Sequence, residues 1–237
     1  MKSLSHFGLA LGACAAIASP FANAATFQNG SFELPGGSFG NVTFLPASNT
    51  SVTGWITDGY SGLSGQVMYQ INAFGVVARD GKATIGFGGN GSTGGRISQS
   101  FETVAGQSYT VKYSTTAQQS GSGAQSYLAE ALSLSPGGSP VLLGSQLEAI
   151  PVGDNAWVDH SFSFIAASDV SQLRFADTSN GAAAGGINWG LDAVSVSSAI
   201  TVTPVPEPST YALMLLGLAA TAGLARKKSA EAKKTEG

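Results

Sequence analysis

Apolar and polar residues alternate along four well-separated segments of the chain. The segments are Ser98–Thr103, Ser108–Tyr113, His160–Ile165 and Leu191–Val196. Because successive side chains of a strand point to opposite faces, such alternation predicts strands with one face on a core and the other in water. Glycine, serine and asparagine recur between these segments, as they do in the turns of β proteins. The pattern therefore predicts an all-β fold of antiparallel strands packed as a sandwich.

Two stretches of the central region are also compatible with a helix. Ala124–Leu134 is ambiguous, since its centre, Tyr127–Leu132, suits a strand equally well. Ala166–Val170 is the second stretch and is short. A region of about 180 residues buries enough of its surface to form one core. We therefore expect residues 25–203 to form a single β-sandwich domain.

Residues 1–24 have the pattern of a secretory signal peptide. Lys2 supplies a positive start, Phe7–Ile17 is apolar, and Ala22-Asn23-Ala24 is a small-residue site of the kind that signal peptidase cleaves. A lipoprotein signal ending at Cys14 is the alternative. That alternative would leave the apolar residues after Cys14 and the Ala22-Asn23-Ala24 site without a role. We therefore expect cleavage after Ala24.

The chain ends in a second hydrophobic segment. Tyr211–Ala225 is apolar, and Arg226, Lys227 and Lys228 follow it at once. At 15 residues the run is shorter than the ~20 that cross a bilayer comfortably, although flanking basic side chains can reach the interface. Since basic residues after a hydrophobic span stay inside, this layout predicts transient anchoring in the inner membrane, with residues 229–237 in the cytoplasm.

The same segment carries a sorting motif. Pro206, Glu207 and Pro208 precede the apolar run and the basic cluster. Residues 204–228 resemble the PEP-CTERM sorting signal in the order of these three parts. The resemblance implies recognition and cleavage by an exosortase of a Gram-negative bacterium, and delivery to the cell surface or the exopolysaccharide matrix. The tail at 229–237 is longer than usual for this signal, and a plain C-terminal membrane anchor is the alternative interpretation.

A series of short motifs spans most of the central region. In chain order they are Asn29–Glu33, Gly54–Trp55, Asp80–Phe87, Gly95–Phe101, Ala105–Val111, Leu173–Phe175 and Gly190–Val194. This order resembles galactose-binding-like jelly rolls, which occur in plant cell-wall sandwich proteins and in bacterial surface proteins. The resemblance implies a two-sheet β-sandwich related to carbohydrate-binding modules.

The resemblance also implies one structural calcium ion. In the related modules an early glutamate and a late aspartate often lie near calcium, and the matching residues here are Glu33 and Asp192. The first and last strands of a jelly roll are commonly neighbours, which would bring these residues together, and calcium prefers carboxylate and carbonyl oxygens. Alternatively, both residues lie at strand ends and pair with the backbone or with water.

The composition narrows the range of functions. The 237 residues carry a formal net charge of −3 and only 11 lysines and arginines, which argues against nucleic-acid binding. Without the two terminal signals, residues 25–204 hold five basic and eleven acidic residues, a formal charge of −6. Cys14 is the single cysteine and would leave with the signal peptide. We therefore expect neither a disulfide framework nor a cysteine zinc site.

Two catalytic sequence motifs are matched in residue pattern, but not in the secondary structure that each motif requires. Gly86–Gly91 fits a dinucleotide fingerprint and Gly36–Gly40 fits a nucleophile elbow, but no predicted helix follows either. His160 is the single histidine after signal removal, and we expect it on the solvent face of a strand, opposite Phe162 and Phe164. The carboxylates show no spacing that indicates a glycosidase pair. We expect no enzymatic activity, and a secreted hydrolase is the least favoured alternative.

Aromatic residues offer the strongest indication of function. Sugars stack their apolar faces on exposed rings, and the candidates for such contacts are Tyr60, Tyr69 and Trp157, of which we expect the two tyrosines to be exposed. Trp55 and Trp189 flank the jelly-roll motifs and are expected in the core. The favoured hypothesis is a surface or matrix protein that binds extracellular polysaccharide. The alternative is a structural matrix or biofilm component that self-associates without glycan.

Overall fold

The computed structural model describes residues 26–59, 65–88, 93–118, 125–135, 138–150, 155–179, 188–199 and 213–221. The chain divides into two units, Met1–Ala199 and Ile200–Gly237. Several predicted functional residues lie outside the described part of the chain. They are Ala22 and Ala24 of the signal site, Tyr60, the sorting motif Pro206-Glu207-Pro208 and the basic cluster Arg226-Lys227-Lys228.

Eleven β-strands form the described part of the first unit. They are β1 (Val42–Leu45), β2 (Ile56–Gly59), β3 (Val67–Ile71), β4 (Ala83–Phe87), β5 (Gly95–Glu102), β6 (Ser108–Gln118), β7 (Gln125–Ser133), β8 (Val141–Ile150), β9 (Trp157–Ile165), β10 (Val170–Asp177) and β11 (Asn188–Ser198). The four alternating segments coincide with β5, β6, β9 and β11, which confirms those predictions. The ambiguous stretch Ala124–Leu134 contains strand β7, and Ala166–Val170 forms a bend that leads into β10.

The strands assemble into two sheets. One sheet has six strands in the order β1-β3-β4-β11-β6-β9, and the other has five in the order β2-β5-β10-β7-β8. Neighbouring strands within both sheets are antiparallel. Apolar positions of both sheets face each other, so the predicted all-β antiparallel sandwich is confirmed.

Aromatic side chains join the two sheets in the core. Trp55 and Trp189 are both buried, as predicted. Phe87 stacks on Trp189 with ring centroids 4.0 Å apart, and Tyr127 of the facing sheet lies 5.3 Å from the same indole. Aromatic pairs at these separations add to the hydrophobic gain from burying each ring. The core therefore holds the two sheets together without any disulfide.

The connection from β3 to β4 folds back over the outer face of the six-stranded sheet. We call residues 72–82 the crossing segment. The Trp157 indole N–H donates to the carbonyl of Val77 at 2.8 Å, and the Arg79 amide donates to the Asp192 carboxylate at 2.8 Å. Since these partners belong to β9 and β11, the segment passes over strands to which it is not sequentially adjacent. It thereby forms one wall of a surface groove.

The second unit contains a short helix in its described part. This helix, α1, spans 213–221, and its leucine side chains are exposed. It covers only part of the predicted apolar run Tyr211–Ala225, the rest of which lies outside the described residues. Within the described part of the chain, no helix is long and apolar enough to cross a membrane.

Candidate functional site

A groove of about 470 Å³ opens on the outer face of the six-stranded sheet, next to the crossing segment. Its lining combines two cationic side chains, one carboxylate and three hydroxyls from four different parts of the fold. These residues are Arg79 of the crossing segment, Lys112 and Ser114 of β6, Asp159 and Ser161 of β9, and Ser195 of β11. Lys112 pairs with Ser161, and Ser114 pairs with Asp159, in the β6–β9 register, so their side chains share one face.

An ion pair closes one side of the groove. The Arg79 guanidinium donates from Nη2 to Asp159 Oδ2 at 2.8 Å and from Nε to Oδ1 at 3.3 Å. The Ser114 hydroxyl donates to the same Oδ1 at 2.6 Å. The Ser114 bond and then Arg79 lower the pKa of Asp159 from its usual value. The carboxyl group is therefore ionised and held in place at neutral pH, as suits hydrogen bonding more than proton donation.

Trp157 stands at the start of β9 on the same face as the groove. Its side chain is half-buried, and its indole N–H is used by the Val77 carbonyl. Nearby, Asn155 Nδ2 donates to the carbonyl of Gly75 at 3.4 Å. Trp157 is thus fixed against the crossing segment while part of its ring remains accessible. Of the three aromatic residues proposed from sequence, it is the one that the structure places beside the groove.

Tyr69 does not fit its predicted exposure. Its side chain is only 2% exposed, its hydroxyl donates to the Phe32 carbonyl at 3.1 Å, and Phe39 packs on its ring at 4.6 Å. The residue lies in β3 on the face that points into the sandwich. The loop-like composition of the surrounding sequence concealed a short buried strand, so the prediction that Tyr69 is exposed is wrong, and its buried ring offers no face on which a sugar could stack.

Glu33 and Asp192 hold the crossing segment from its two sides. Glu33 Oε1 accepts the amides of Lys82 and Ala83 at 2.6 and 2.7 Å. Asp192 Oδ2 accepts the amides of Arg79 and Asp80 at 2.8 and 3.0 Å. The early and late parts of the chain therefore meet the same five-residue stretch, although the first strand, β1, is not a neighbour of the last, β11. Both carboxylates satisfy backbone donors that would otherwise be unpaired.

Asp192 is fully buried at a β-bulge in β11. The register between β11 and β6 shifts between Asp192 and Ser195, and Ala193 has a φ of 52°. The other carboxylate oxygen of Asp192, Oδ1, accepts the Ala193 amide at 2.6 Å. Burial raises the pKa of Asp192 to about 7, against the lowering effect of its three backbone donors. Desolvation therefore outweighs hydrogen bonding at this position.

These contacts do not resemble a calcium site. Calcium needs six to eight oxygen ligands, whereas the groups that approach Glu33 and Asp192 in the structure are N–H donors. No group of three or more acidic, histidine or cysteine side chains that could hold a metal ion occurs among the described residues. The donor set seen here matches the backbone-pairing alternative, and the calcium ion stays a prediction.

His160 faces the interior of the sandwich, contrary to the prediction. Its side chain is 10% exposed and stacks on Tyr113 with ring centroids 5.1 Å apart. Strand residues two apart share a face, so His160 points the same way as Phe162 and Phe164. Burial lowers the pKa of His160, although the Glu148 carboxylate acts in the opposite direction.

A partly buried network connects His160 to the facing sheet. His160 Nδ1 lies 3.0 Å from Glu148 Oε2, and the Tyr113 hydroxyl contacts the Tyr127 hydroxyl and Gln146 Oε1, both at 3.0 Å. We call these five residues the edge cluster. Because β8 and β9 are edge strands of different sheets, the cluster joins the sheets along one open side of the sandwich.

Together with Thr115, two residues of the edge cluster show the order of groups found in a catalytic triad. Thr115 Oγ1 lies 2.9 Å from His160 Nε2, and Glu148 lies on the other ring nitrogen. Thr115, however, is only 2% exposed, so its hydroxyl does not face a space that a substrate could enter. The arrangement favours a structural role for the histidine.

Sequence reasoning missed most of the groove. Arg79 and Ser114 carried no motif, and Lys112 and Ser161 were seen only as polar positions of strands. The alternation placed Lys112 on the polar face of a predicted strand, but it did not show which strand lies beside it. Arg79 reaches the groove only because the crossing segment folds back, and no local pattern indicates that path.

Solved structures similar to this chain include carbohydrate-binding modules. One is a structure with the description "CBM4 structure and function". It is 17% identical to this chain, the match covers 72% of this chain and 98% of the other chain, and the TM-score is 0.47. TmCBM61 in complex with β-1,4-galactotriose is 15% identical over 74% and 99%, with a TM-score of 0.47. The family 22 module of Clostridium thermocellum Xyn10B is 15% identical over 66% and 92%, with a TM-score of 0.45. Among curated proteins, no significant match was found.

Two protein-family profiles match the chain. The PEP-CTERM protein-sorting motif matches residues 204–228, which confirms the resemblance seen in the sequence and indicates export with membrane-associated sorting. The profile described as protein of unknown function (DUF642) matches residues 25–197, the whole of the predicted sandwich up to β11. With most of its length covered by that second profile, the chain belongs to the DUF642 family.

Proposed function

We propose that this protein is an exported, non-catalytic surface or matrix protein that binds carbohydrate in the groove of the six-stranded sheet. The observation that carries the proposal is the groove itself, in which hydroxyl, ammonium, guanidinium and carboxylate groups converge beside the partly exposed ring of Trp157. Sugar hydroxyls both donate and accept hydrogen bonds, so a mixed set of fixed donors and acceptors is what their recognition requires.

The pre-formed geometry of the groove supports binding. The Arg79–Asp159 pair and the Ser114 bond hold the polar groups in place before any ligand arrives. A ligand would therefore lose less free energy to ordering the site than it would at a set of flexible side chains. Lys112 and Ser161 are exposed and supply further donors along the strands.

The same groups argue for binding over hydrolysis. A glycosidase needs two carboxyl groups about 5–10 Å apart, one of them protonated at working pH. The described lining of the groove contains a single carboxylate, Asp159, and its pKa is lowered. A group that stays ionised cannot serve as the general acid, so the lining is suited to holding a sugar.

The destination after export is part of the proposal. We propose that signal peptidase removes residues 1–24 and that the C-terminal segment is held briefly in the inner membrane. An exosortase then cleaves near Pro206–Pro208, which releases the sandwich to the cell surface or the exopolysaccharide matrix. The sorting-motif match at 204–228 supports this route.

A polysaccharide-retention experiment tests the binding function. Neutral glycans, and the exopolysaccharide of the bacterium that produces the protein, are each embedded in native gels. The migration of the wild-type exported protein is then compared with that of the double variant Lys112→Ala/Ser161→Ala. We expect the wild type to be retarded by at least one glycan and the double variant to bind about tenfold more weakly, since two hydrogen-bonding groups are lost. Lys82→Ala, an exposed lysine outside the groove, is the matched control.

Two outcomes would count against this function. Wild-type protein that is folded and migrates unchanged in every glycan gel would refute carbohydrate binding. Retardation that survives unchanged in the double variant would move the site away from the groove. Concentration-dependent association without glycan, measured by sedimentation, would favour the structural matrix alternative, for which Val141, Leu142 and Leu147 of β8 offer exposed apolar side chains.

A further inference from the structure

The crossing segment runs alongside the start of β9 in a regular register. Three contacts join the two stretches, and in each of them the partners are 80 positions apart in the sequence. The pairs are Gly75 with Asn155, Val77 with Trp157, and Arg79 with Asp159. Because both members of the pairs advance by two residues at a time, the stretches lie side by side and run in the same direction. The groove lined by the third pair therefore continues past the first two.

Two apolar side chains of the crossing segment are exposed at this end of the groove. Phe74 is 53% exposed and Val77 is exposed still further, whereas Ala73 and Val76 are buried. The first two side chains therefore point away from the core. Next to them, part of the Trp157 ring is accessible, since its indole N–H is held by the Val77 carbonyl. We call Phe74, Val77 and Trp157 the apolar end of the groove.

The backbone at Phe74 has an unfavourable conformation. Phe74 and Gly75 are the central residues of a tight turn, which the Val76 amide closes by donating to the Ala73 carbonyl at 3.0 Å. Both have positive φ, 54° and 74°, as in a type I′ turn, whose first central position favours asparagine, aspartate or glycine. A bulky side chain crowds the backbone there, and a ring left in water gains little from burial in return. Strain of this kind concentrates at ligand-binding positions.

We infer that Phe74 is a sugar-binding residue, on which the apolar face of one neutral pyranose unit stacks while further units of the same chain occupy the polar part of the groove. The inference rests on the proposed function and adds a residue and a ligand class to it. From Trp157 to Ser161 the groove follows four residues of β9, about 13 Å, which accommodates more than one unit. A sugar chain suits this surface because it presents C–H faces and hydroxyls together, whereas a lipid or an apolar peptide would leave the polar groups unused.

Calorimetric titration with two neutral hexasaccharides tests the inference. The probes are cellohexaose and xylohexaose, whose ring hydroxyls are all equatorial, so that both faces of each ring are apolar. We expect the wild type to bind at least one of them and Phe74→Asn to bind it about tenfold more weakly, since the stacking contact is lost. The same substitution should raise the melting temperature by about 2–4 °C, because asparagine suits the turn better than phenylalanine does. A residue needed only for folding would not give these opposite effects.

Further variants separate stacking from general adhesion to an apolar surface. Phe74→Tyr keeps the flat ring and is expected to bind as the wild type does. Phe74→Leu keeps an apolar side chain without a ring, so it should bind nearly as weakly as Phe74→Asn. Phe44→Asn is the matched control, because Phe44 is also exposed but lies in β1, at the far edge of the same sheet. Its affinity should equal that of the wild type.

Three outcomes would overturn the inference. They are unchanged affinity in Phe74→Asn, an equal loss of affinity in Phe44→Asn, and a folded wild type that binds neither hexasaccharide. Lys112→Ala/Ser161→Ala distinguishes these failures from failure of the proposed function. Weaker binding in that double variant with unchanged binding in Phe74→Asn leaves the groove as the site and removes only its apolar end. If neither hexasaccharide binds but another glycan retards the protein in native gels, the proposed function also stands, and it falls with the inference when no glycan does.

Discussion

Single residues fix the path of the crossing segment. Gly81 has a φ of +71°, and the Glu33 carboxylate that accepts the following two amides lies directly over its Cα. A β-carbon at this position would overlap that carboxylate. The backbone conformation and the close approach both require glycine here, and the second requirement comes from a residue 48 positions earlier in the chain.

Substitution of Gly81 should therefore lower the free energy of unfolding by more than the cost of placing a non-glycine residue in its left-handed backbone conformation. Gly81→Ala is expected to lower the free energy of unfolding by about 2–4 kcal/mol, since it adds a steric clash to the cost of a left-handed alanine. Gly106→Ala is the matched control, because Gly106 has a φ of +81° but open space around its Cα. It should lose only about 1 kcal/mol. Urea denaturation measures both, and equal losses would show that the Glu33 contact is unimportant.

Asp192 should give the protein a dependence of stability on pH. Its folded pKa of about 7 lies above the ordinary aspartate value of 3.8, so the folded state holds a proton that the unfolded state releases. The contribution is fully present below about pH 4 and is lost as the pH rises through 7. Asp192→Asn cannot titrate, so the free energy of unfolding of the wild type should fall relative to that of Asp192→Asn over this range. Parallel pH profiles of the two proteins would contradict the raised pKa.

At the scale of elements, two edge strands are joined by polar side chains. Strand β8 ends the five-stranded sheet and β9 ends the six-stranded sheet, and the edge cluster links them through Tyr113, Tyr127, Gln146, Glu148 and His160. Polar groups that are buried and mutually bonded fix one arrangement of the strands, because any slip would leave them unpaired. The cluster thus specifies how the open side of the sandwich closes.

Removal of one hydroxyl tests this role. Tyr113→Phe should lower the free energy of unfolding by about 1–3 kcal/mol, since it removes the hydroxyl shared by Tyr127 and Gln146 and leaves the Tyr127 hydroxyl only its longer bond to Glu148 Oε2 at 3.3 Å. Tyr109→Phe is the control. The hydroxyl of Tyr109 accepts one amide, that of the exposed Val104, which water can satisfy instead, so a loss below about 1 kcal/mol is expected. Thermal denaturation compares the two, and a larger loss for Tyr109→Phe would refute the cluster.

Much of the element level could be predicted from the sequence. Period-two alternation located β5, β6, β9 and β11, and it also contained the orientation of His160, which shares its parity with Phe162 and Phe164. Strand β3 was missed because it is short and lies in a glycine-rich and serine-rich stretch, so Tyr69 was assigned to a loop. The crossing segment was not predictable, since its contacts with β9 and β11 span about 80 and 110 residues of sequence.

At the scale of the whole molecule, the terminal signals and the central domain differ in charge. Basic residues concentrate at the two ends of the chain, whereas the region 25–204 is acidic and keeps only five of them. Two of these five, Arg79 and Lys112, line the groove, and two others, Arg96 and Arg174, lie in strands of the five-stranded sheet. The groove that we propose binds carbohydrate therefore holds two of the few cations of an acidic domain.

Processing of both ends is the prediction that belongs to this scale. Mass spectrometry of the protein recovered from cells should show a chain that begins at Ala25 and ends near Pro206–Pro208. Such a chain has lost both the apolar run and the basic cluster that would hold it in a membrane. Deletion of the exosortase should leave the full C-terminus in place. A mature protein that still contains Arg226–Gly237 in normal cells would contradict the sorting route.

The sequence by itself determined the class of fold, the aromatic core residues Trp55 and Trp189, and the sorting signal. Each of these depends on local order along the chain: a period of two, a bulky apolar residue within a motif, or three motifs in succession. Only the tertiary structure decided where the groove lies, what Glu33 and Asp192 bind, and that Val77 lies beside Trp157. Those features arise where distant segments meet, and strand order, register and the fold-back of residues 72–82 are set by packing of the whole sandwich.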